Sequence, residues 1–474
     1  MFKSSFIYFI SKAVHGLSML ASLFIFSYLL TKEEYGIYNY VIATTALVNV
    51  GAFHWLRVSF TRFFQEIDKE DEDGIRNLKT NIITIYSIIL AASFLVFAVL
   101  AIFASKPLVI ISMGLILLIQ SFYELNLELY SASVQPKKYL LALNIRSVVF
   151  LLLGVILALL DFNEYSLLIS FFLGMLIPVF IIRTEWTMPS LSQTDKEMLR
   201  KLFQFGIPIA ITLSLEYFIT YSNIFFLNLY EGKEAVGIFS MSYNLGKQVL
   251  LTLVSTIGLA SLPLIFRAYD EKDYSRMNNL LKKENGMLLF MLLPAAFGLM
   301  ICAYPLFNGV LSPQYKGTEN LFMLIMIGNF FLIFKEYFFI RPFQIKKKTG
   351  LNSIVSLSTA LISIICNYIL VPKYGVYGAA YTTIIAYGSS CIVTYAVGRK
   401  MLKYQFDWRG LLANTLSVLT FCLIILLFFY EPGIAGIIKM GIVIVITHFI
   451  FSYAFNLLNI RQVVHKKLRR KQNV

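Results

Sequence analysis

KEEYGIY, residues 32–38, stands between two long apolar stretches, and 201 residues later the chain writes KEAVGIF, residues 233–239, in the same setting. Two further pairs keep the same order: FFQEIDKED (63–71) with IFRAYDEKD (265–273), and QPKKYLLALN (135–144) with QIKKKTGLNS (344–353). One such pair would be an ordinary coincidence between short loops of an apolar protein. Three pairs at offsets of 201 to 209 residues make the first two parts of the chain two copies of one unit.

The setting of that hinge is a bilayer. Of 474 residues, 58% are hydrophobic and 14% charged, with a mean hydropathy of +0.73, which leaves too little charge to cover a water-facing surface. Stretches of about 20 apolar residues, the length a spanning helix needs, recur along the whole chain. Fourteen are expected, centred near residues 18, 48, 92, 121, 149, 174, 216, 250, 291, 330, 361, 387, 420 and 446. The first, Phe6 to Leu30, is longer than a signal-peptide core and lacks a small-residue cleavage site, so it reads as a retained helix. The longest polar breaks, near 61–80, 186–201 and 267–284, are too short to fold alone.

A net charge of +15 could suggest nucleic acid, but its placement points to a membrane. Only Lys32, Lys106, Lys233, Lys316 and Lys373 fall on odd-numbered loops, while Lys247 and Lys439 fall inside helices. The other 34 of the 41 Lys and Arg belong to the even loops and the termini, which the positive-inside rule places in the cytoplasm. The tail RQVVHKKLRRKQ (461–472) then reads as an anchor against anionic headgroups, or else a partner-binding tail.

Six helices per copy is an even number, so the copies point the same way, related by an axis along the membrane normal. The expected fold is therefore an all-α polytopic membrane protein: two parallel six-helix repeats forming two lobes around a central cavity, plus two C-terminal helices. In residues, this is an N-terminal lobe at 1–190, a second at 191–400, two added helices at 401–460 and a basic cytoplasmic tail at 461–474. Cys302, Cys366, Cys391 and Cys422 all lie in apolar stretches without metal or disulfide spacing and read as packing or lipid-facing residues.

Ionisable side chains within membrane helices are costly and normally face a partner or a water-filled cavity. Helix 1 carries Tyr8, Lys12, His15, Ser18 and Ser22 on one stripe, and helix 2 adds His54 and Arg57. Helix 7 carries Thr212, Glu216, Thr220 and Asn223 on one face, and helix 8 carries Ser240, Asn244, Lys247 and Ser255. At 1.5 Å per residue, Glu216 and Lys247 fall at comparable depth, about 20 and 16 Å from their helix starts. One reading is a cationic lumen of Lys12, Arg57 and Lys247, with His54 and Asn244 beside it, that attracts an anionic headgroup, with Glu216 or His15 as a proton or cation site. The alternative is a Glu216 to Lys247 pair that merely fixes two helices. Glu124 and Glu128 on helix 4 and Arg146 on helix 5 are secondary candidates, since folding that hairpin near 136 sets Glu128 level with Arg146 as a structural ion pair. No GxxxxGK[ST], HExxH or GxSxG motif occurs and no large exterior loop is available, so neither an enzyme nor a cofactor is expected.

Helix 1 ending in YLLTKEEYGIYNY (28–40), the Gly51 to Phe64 exit, FGIPIAITLSL (205–215) and KEAVGIFSMSYNLG (233–246) together resemble the Wzx-type polysaccharide flippases. These belong to the multidrug/oligosaccharidyl-lipid/polysaccharide exporter superfamily, and the likeness runs over essentially the whole length. It implies translocation of a polyprenyl-diphosphate-linked oligosaccharide from the cytoplasmic to the outer leaflet of a bacterial inner membrane, for O-antigen, lipopolysaccharide, capsule or a related polymer. It further implies alternating access coupled to an ion gradient, and cooperation with a polysaccharide polymerase and chain-length regulator. Where such sequences often carry an acidic-basic pair late in helix 7, this chain has Asn223 and Ile224. Two other functions compete: a cation-coupled drug antiporter, which would prefer acidic and aromatic lumen residues, and a membrane glycan polymerase or ligase, which would need a substantial exterior loop.

Overall fold

The computed structural model describes residues 2–457 apart from 69, 183, 185, 191–193, 347, 404–406, 430 and 432. Side chains are described for these residues other than 2–13, 212, 255–256, 259–260 and 349. The basic tail at 461–472 and the side chain of Lys12 thus lie outside the described residues. The helices are α1 (Phe2–Leu29), α2 (Lys32–Asn49), α3 (Trp55–Glu66), α4 (Glu72–Phe103), α5 (Pro107–Ala132), α6 (Pro136–Leu159), α7 (Tyr165–Ile181) and α8 (Lys196–Tyr230). They continue with α9 (Lys233–Asp270), α10 (Tyr274–Ile301), α11 (Ala303–Gly309), α12 (Glu319–Phe334), α13 (Arg341–Ile345), α14 (Thr349–Met401), α15 (Trp408–Phe428) and α16 (Gly433–Ala454).

Among the described residues ten helical segments are long and apolar enough to cross a membrane, with shorter apolar helices at Val14–Leu29 and Tyr165–Ile181, and they fall at places the hydropathy pattern assigns to the fourteen expected passes. The second pass is α2 and α3 joined by a five-residue π-turn, Val50–His54. The tenth is α12 and α13 joined by another, Lys335–Phe339. Passes eleven and twelve share α14, which turns back at Gly375 (φ 54°, ψ −129°), a conformation that only glycine adopts without strain, three residues after Pro372. The outer faces are apolar, as a hydrocarbon surround requires: Leu95, Leu100 and Phe103 on α4, and Ile446, Phe449 and Ile450 on α16, are all exposed. This is a multi-pass membrane protein.

The chain forms two compact units that meet at Ser240/Met241. In the first, α1 packs on α6, α6 on α7, α2 and α4 on α5, and α8 against α2 and α3. The linker before α8 is tied down: Trp186 donates to Asn126, the Ser190 amide to Thr84 and the Asp195 amide to Asn81. Asp195 then caps α8, and the backbone N–H of Glu197 holds its carboxyl below the usual range. In the second unit α12 lies along α14, and α10 packs against the α15–α16 hairpin through Leu289, Phe421, Ile425 and Met440. Cys302 and Cys391 are buried packing groups, and Cys366 and Cys422 are partly buried. The repeat reading divides the chain near 190, whereas the compact units meet fifty residues later because α8 and the first turns of α9 pack with the first repeat.

The two copies of the opening hinge touch each other. Each carries a glycine where a Cβ would collide with backbone of the other copy: Gly36 with the Lys233 carbonyl, and Gly237 with the Lys32 carbonyl. The first turns of α2 and α9 therefore lie backbone on backbone, the close approach that small residues allow between membrane helices. Around this crossing, Lys32 pairs with Glu234 at 3.3 Å and the Lys233 ammonium sits 3.0 Å from the Tyr40 ring centre. A capping box, Thr31 with Glu34, fixes the start of α2. The recurrence of KEEYGIY as KEAVGIF is thus a mutual contact, and glycine recurs because each copy occupies the other's Cβ position.

Candidate functional site

In the first unit the charges gather on α3 and α5. Arg57 Nη2 lies 2.8 Å from Glu124 Oε2, and Arg57 Nη1 donates to Asn49 Oδ1 at 3.0 Å. Asn49 Nδ2 donates to the same carboxylate at 2.8 Å and Gln120 Nε2 to its other oxygen at 2.9 Å. The π-turn explains how Asn49 and Arg57 meet. Eight residues of regular α-helix leave two side chains about 80° apart around the axis, whereas one residue absorbed in a wide turn brings them within about 20°. The Arg57 side chain is 6% exposed and that of Glu124 26%, so the guanidinium is closed off while the carboxylate keeps one open side.

Two sequence expectations need correction here. Arg57 is not an open lumen cation, because Glu124 and Asn49 enclose it. The Glu128 to Arg146 ion pair does not form: Glu128 accepts from Thr61, and Arg146 lies 5.5 Å over Tyr123 and 5.0 Å over Phe171. Straight helices about a symmetric turn would set the two level, but the chain leaves α5 through Val134 in the left-handed region (φ 54°).

The remaining candidates separate. His15 is bonded to Ser147 of α6. His54 is the last residue of the π-turn, and among the described residues its Nδ1 is buried without a hydrogen bond. Glu216 is half-buried on α8 in the first unit, whereas Asn244 and Lys247 belong to the second. Lys247 is half-buried, lies 5.2 Å over the Tyr243 ring and, among the described residues, forms no ion pair within its own unit.

The second unit also holds a pair that the sequence did not mark. Arg341 binds Glu284 through two bonds, Nη2 to Oε1 at 2.9 Å and Nε to Oε2 at 3.3 Å, with side-chain exposures of 4% and 0%. Ser261 donates to that carboxylate, and Arg341 Nη1 donates to Gln344 at 2.8 Å. Beside it, buried Lys335 pairs with Glu336 at 2.9 Å. Glu284 was masked by its place in the charged run KKEN, which reads as loop, and Arg341 by its closeness to KKK at 346–348. The FFIRPF context of Arg341, an arginine inside an aromatic run, was the available signal.

Comparison with known proteins places this geometry. A family model described as "Polysaccharide biosynthesis protein" matches residues 25–320, well over half of the chain. The chain belongs to that family. Among curated proteins it is 22% identical over 217 residues to "Uncharacterized membrane protein MJ1068" of Methanocaldococcus jannaschii, covering 45% of this chain and 42% of that one. It is 19% identical over 238 residues to "Probable low-salt glycan biosynthesis flippase Agl15" of Haloferax volcanii, covering 48% and 50%. The matched stretch thus spans about half the length of these curated relatives. Among solved structures, the lipid II flippase MurJ in an inward closed conformation superposes with a TM-score of 0.75 at 16% identity, covering 98% of this chain and all of that one. An inward-facing multidrug resistance MATE transporter gives 0.66 at 15% identity, covering 81% and 94%. The chain is thus a multi-pass member of the polysaccharide biosynthesis family with a fold similar to that of MurJ and MATE transporters.

Proposed function

We propose that this member of the family is a flippase carrying a polyprenyl-diphosphate-linked oligosaccharide from the cytoplasmic to the outer leaflet, by alternating access of two six-helix lobes, 1–190 and 191–400. The observation that carries the reading is Lys247: a half-buried ammonium within a membrane helix, held over a tyrosine ring and, among the described residues, without a carboxylate in its own unit. Arg146, also half-buried and held over two rings, is the second such cation. Cations in a low-dielectric site offset the cost of moving a diphosphate off the membrane surface. The family's description, the printed name of the Haloferax relative and the likeness to a lipid II flippase all support it.

In this reading both termini are cytoplasmic, the hinge contact of α2 and α9 lies at the outer surface, and the glycan goes on to a polymerase. Glu216, His54 and His15 are the groups through which an ion gradient would couple. Glu124 and Glu284 are each bound to an arginine, so neither is open to an organic cation of the kind a drug antiporter would carry. The test is export in a strain deleted for the gene. Lys247→Gln should insert in the membrane normally and fail to restore surface glycan, and restoration at the parent level would overturn the reading.

A further inference from the structure

A basic cavity of about 410 Å³ opens at the end of the second unit where α10 and α15 begin and α16 finishes. Lys282 and Lys283 come from α10, Arg409 and Asp407 from the start of α15, and the far wall is Phe455 to Leu457. That wall is set by Asn456, whose left-handed backbone (φ 52°) turns the chain sharply after α16. Among the described residues none of the three cations forms an ion pair, and Asp407 is the single carboxylate in the lining. Glu284, next in sequence to Lys283, cannot neutralise them because it is turned inward onto Arg341. Three cations against one carboxylate leave the hollow with a net positive charge that favours an anion.

We infer that this cavity binds the phosphate headgroup of an anionic membrane phospholipid. Its surroundings distinguish a lipid from a free phosphate. Trp408 is 69% exposed at its edge, an aromatic at the level where such rings sit in a bilayer. The exposed side chains beyond it, Leu412 and Leu419 on α15 and Phe449 and Ile450 on α16, continue as an apolar face along which acyl chains can lie. Basic pockets between membrane helices on the cytoplasmic side hold anionic headgroups in this way. The positive-inside pattern puts this end in the cytoplasm, so the ligand is a lipid of the inner-facing leaflet. The inference rests on the α10, α15 and α16 geometry and is independent of what the protein transports.

The test uses the purified full chain in nanodiscs or detergent, with phosphatidylglycerol and phosphatidylcholine as probes and bound lipid counted by native mass spectrometry. The parent chain should retain phosphatidylglycerol selectively. Lys282→Gln/Lys283→Gln/Arg409→Gln should weaken it on the order of 100-fold, since each basic group near a membrane surface is worth about a fivefold factor. All three residues are exposed, and monodispersity on gel filtration checks that the variant is folded. Lys196→Gln/Arg200→Gln, which removes exposed charge from α8 instead, should leave retention unchanged. Equal retention by the triple variant, an equal loss with the α8 variant, or displacement of the lipid by millimolar inorganic phosphate or pyrophosphate would each overturn the proposal.

Discussion

Replacing Gly36 by alanine adds one methyl group at the most confined point of the hinge crossing. In an ordinary helix that change gains up to about 1 kcal/mol, because glycine pays more backbone entropy. Here the sign should reverse. The new Cβ would lie more than 1 Å inside the 3.0 Å that Cβ contacts keep, and the obstructing atom is the Lys233 carbonyl oxygen, which no rotamer change can move. The two helix starts must therefore separate by about 1 Å, losing the close Cα–H to carbonyl contacts, worth about 0.5 to 1 kcal/mol each, and adding the cost of overpacking, about 1 to 3 kcal/mol. The Lys32 to Glu234 pair contributes little to this sum, since Glu234 is 64% exposed. A loss of about 1 to 3 kcal/mol from the closed contact lowers its weight by about 5- to 150-fold against any open form. The assay is disulfide cross-linking between Lys32→Cys and Glu234→Cys in a background lacking Cys302, Cys366, Cys391 and Cys422. Gly36→Ala and Gly237→Ala should each slow cross-linking at least fivefold at normal expression. If both link at the parent's rate, the backbone contact does not exist in the membrane and the explanation of the repeated hinge is wrong.

Removing the positive partner of Glu124 by Arg57→Ala should lower stability by about 3 kcal/mol, the lower end for buried pairs because the carboxylate keeps an open side, read as a drop in thermal midpoint; Arg57→Met/Glu124→Met should recover most of it. Glu284→Gln should cost more, about 3 to 5 kcal/mol, because neither it nor Arg341 reaches solvent, and a loss smaller than that of Arg57→Ala would contradict the deep burial of this pair. Gly258→Val should reproduce much of the Glu284 effect without touching a charge, since a Cβ at 258 would lie 3.2 Å from Arg341 Nη2 and its branches would push the guanidinium aside. An unchanged midpoint for Gly258→Val would show that the guanidinium has another place to go.

The passes were legible because hydrocarbon demands about 20 apolar residues each time, and the stretches near 361 and 387 were separated at Lys373, beside the turn at Gly375 inside α14. The repeat was legible because each copy's glycine is required by the other's backbone. The partners of the interior charges were not. Pairing by helical depth takes every helix as straight and regular, but Val50–His54 absorbs an extra residue and rotates Arg57 onto Asn49 and Glu124. Arg146 was assigned a carboxylate although its actual neighbours, Tyr123 and Phe171, are uncharged and leave no mark in a charge count.

Divergence between the copies accounts for the other misses. At the hinge's offset of 201 residues, the position matching Arg57 is Gly258. The second copy nevertheless has a guanidinium beside that position, because Arg341 reaches it from α13, and the hydroxyl of Ser261, one turn along α9, joins Arg341 on the carboxylate of Glu284. In the first copy the base comes from the second pass and the acid from the fourth. In the second copy the base comes from the fourth and the acid from the third. An arginine added on a facing helix would make a charged residue at 258 redundant and sterically costly, and glycine there admits the incoming group. Common to both copies is a guanidinium–carboxylate pair at or against the second pass, while the helices supplying it differ. Comparing the copies residue by residue therefore finds their loops and misses their interior pairs.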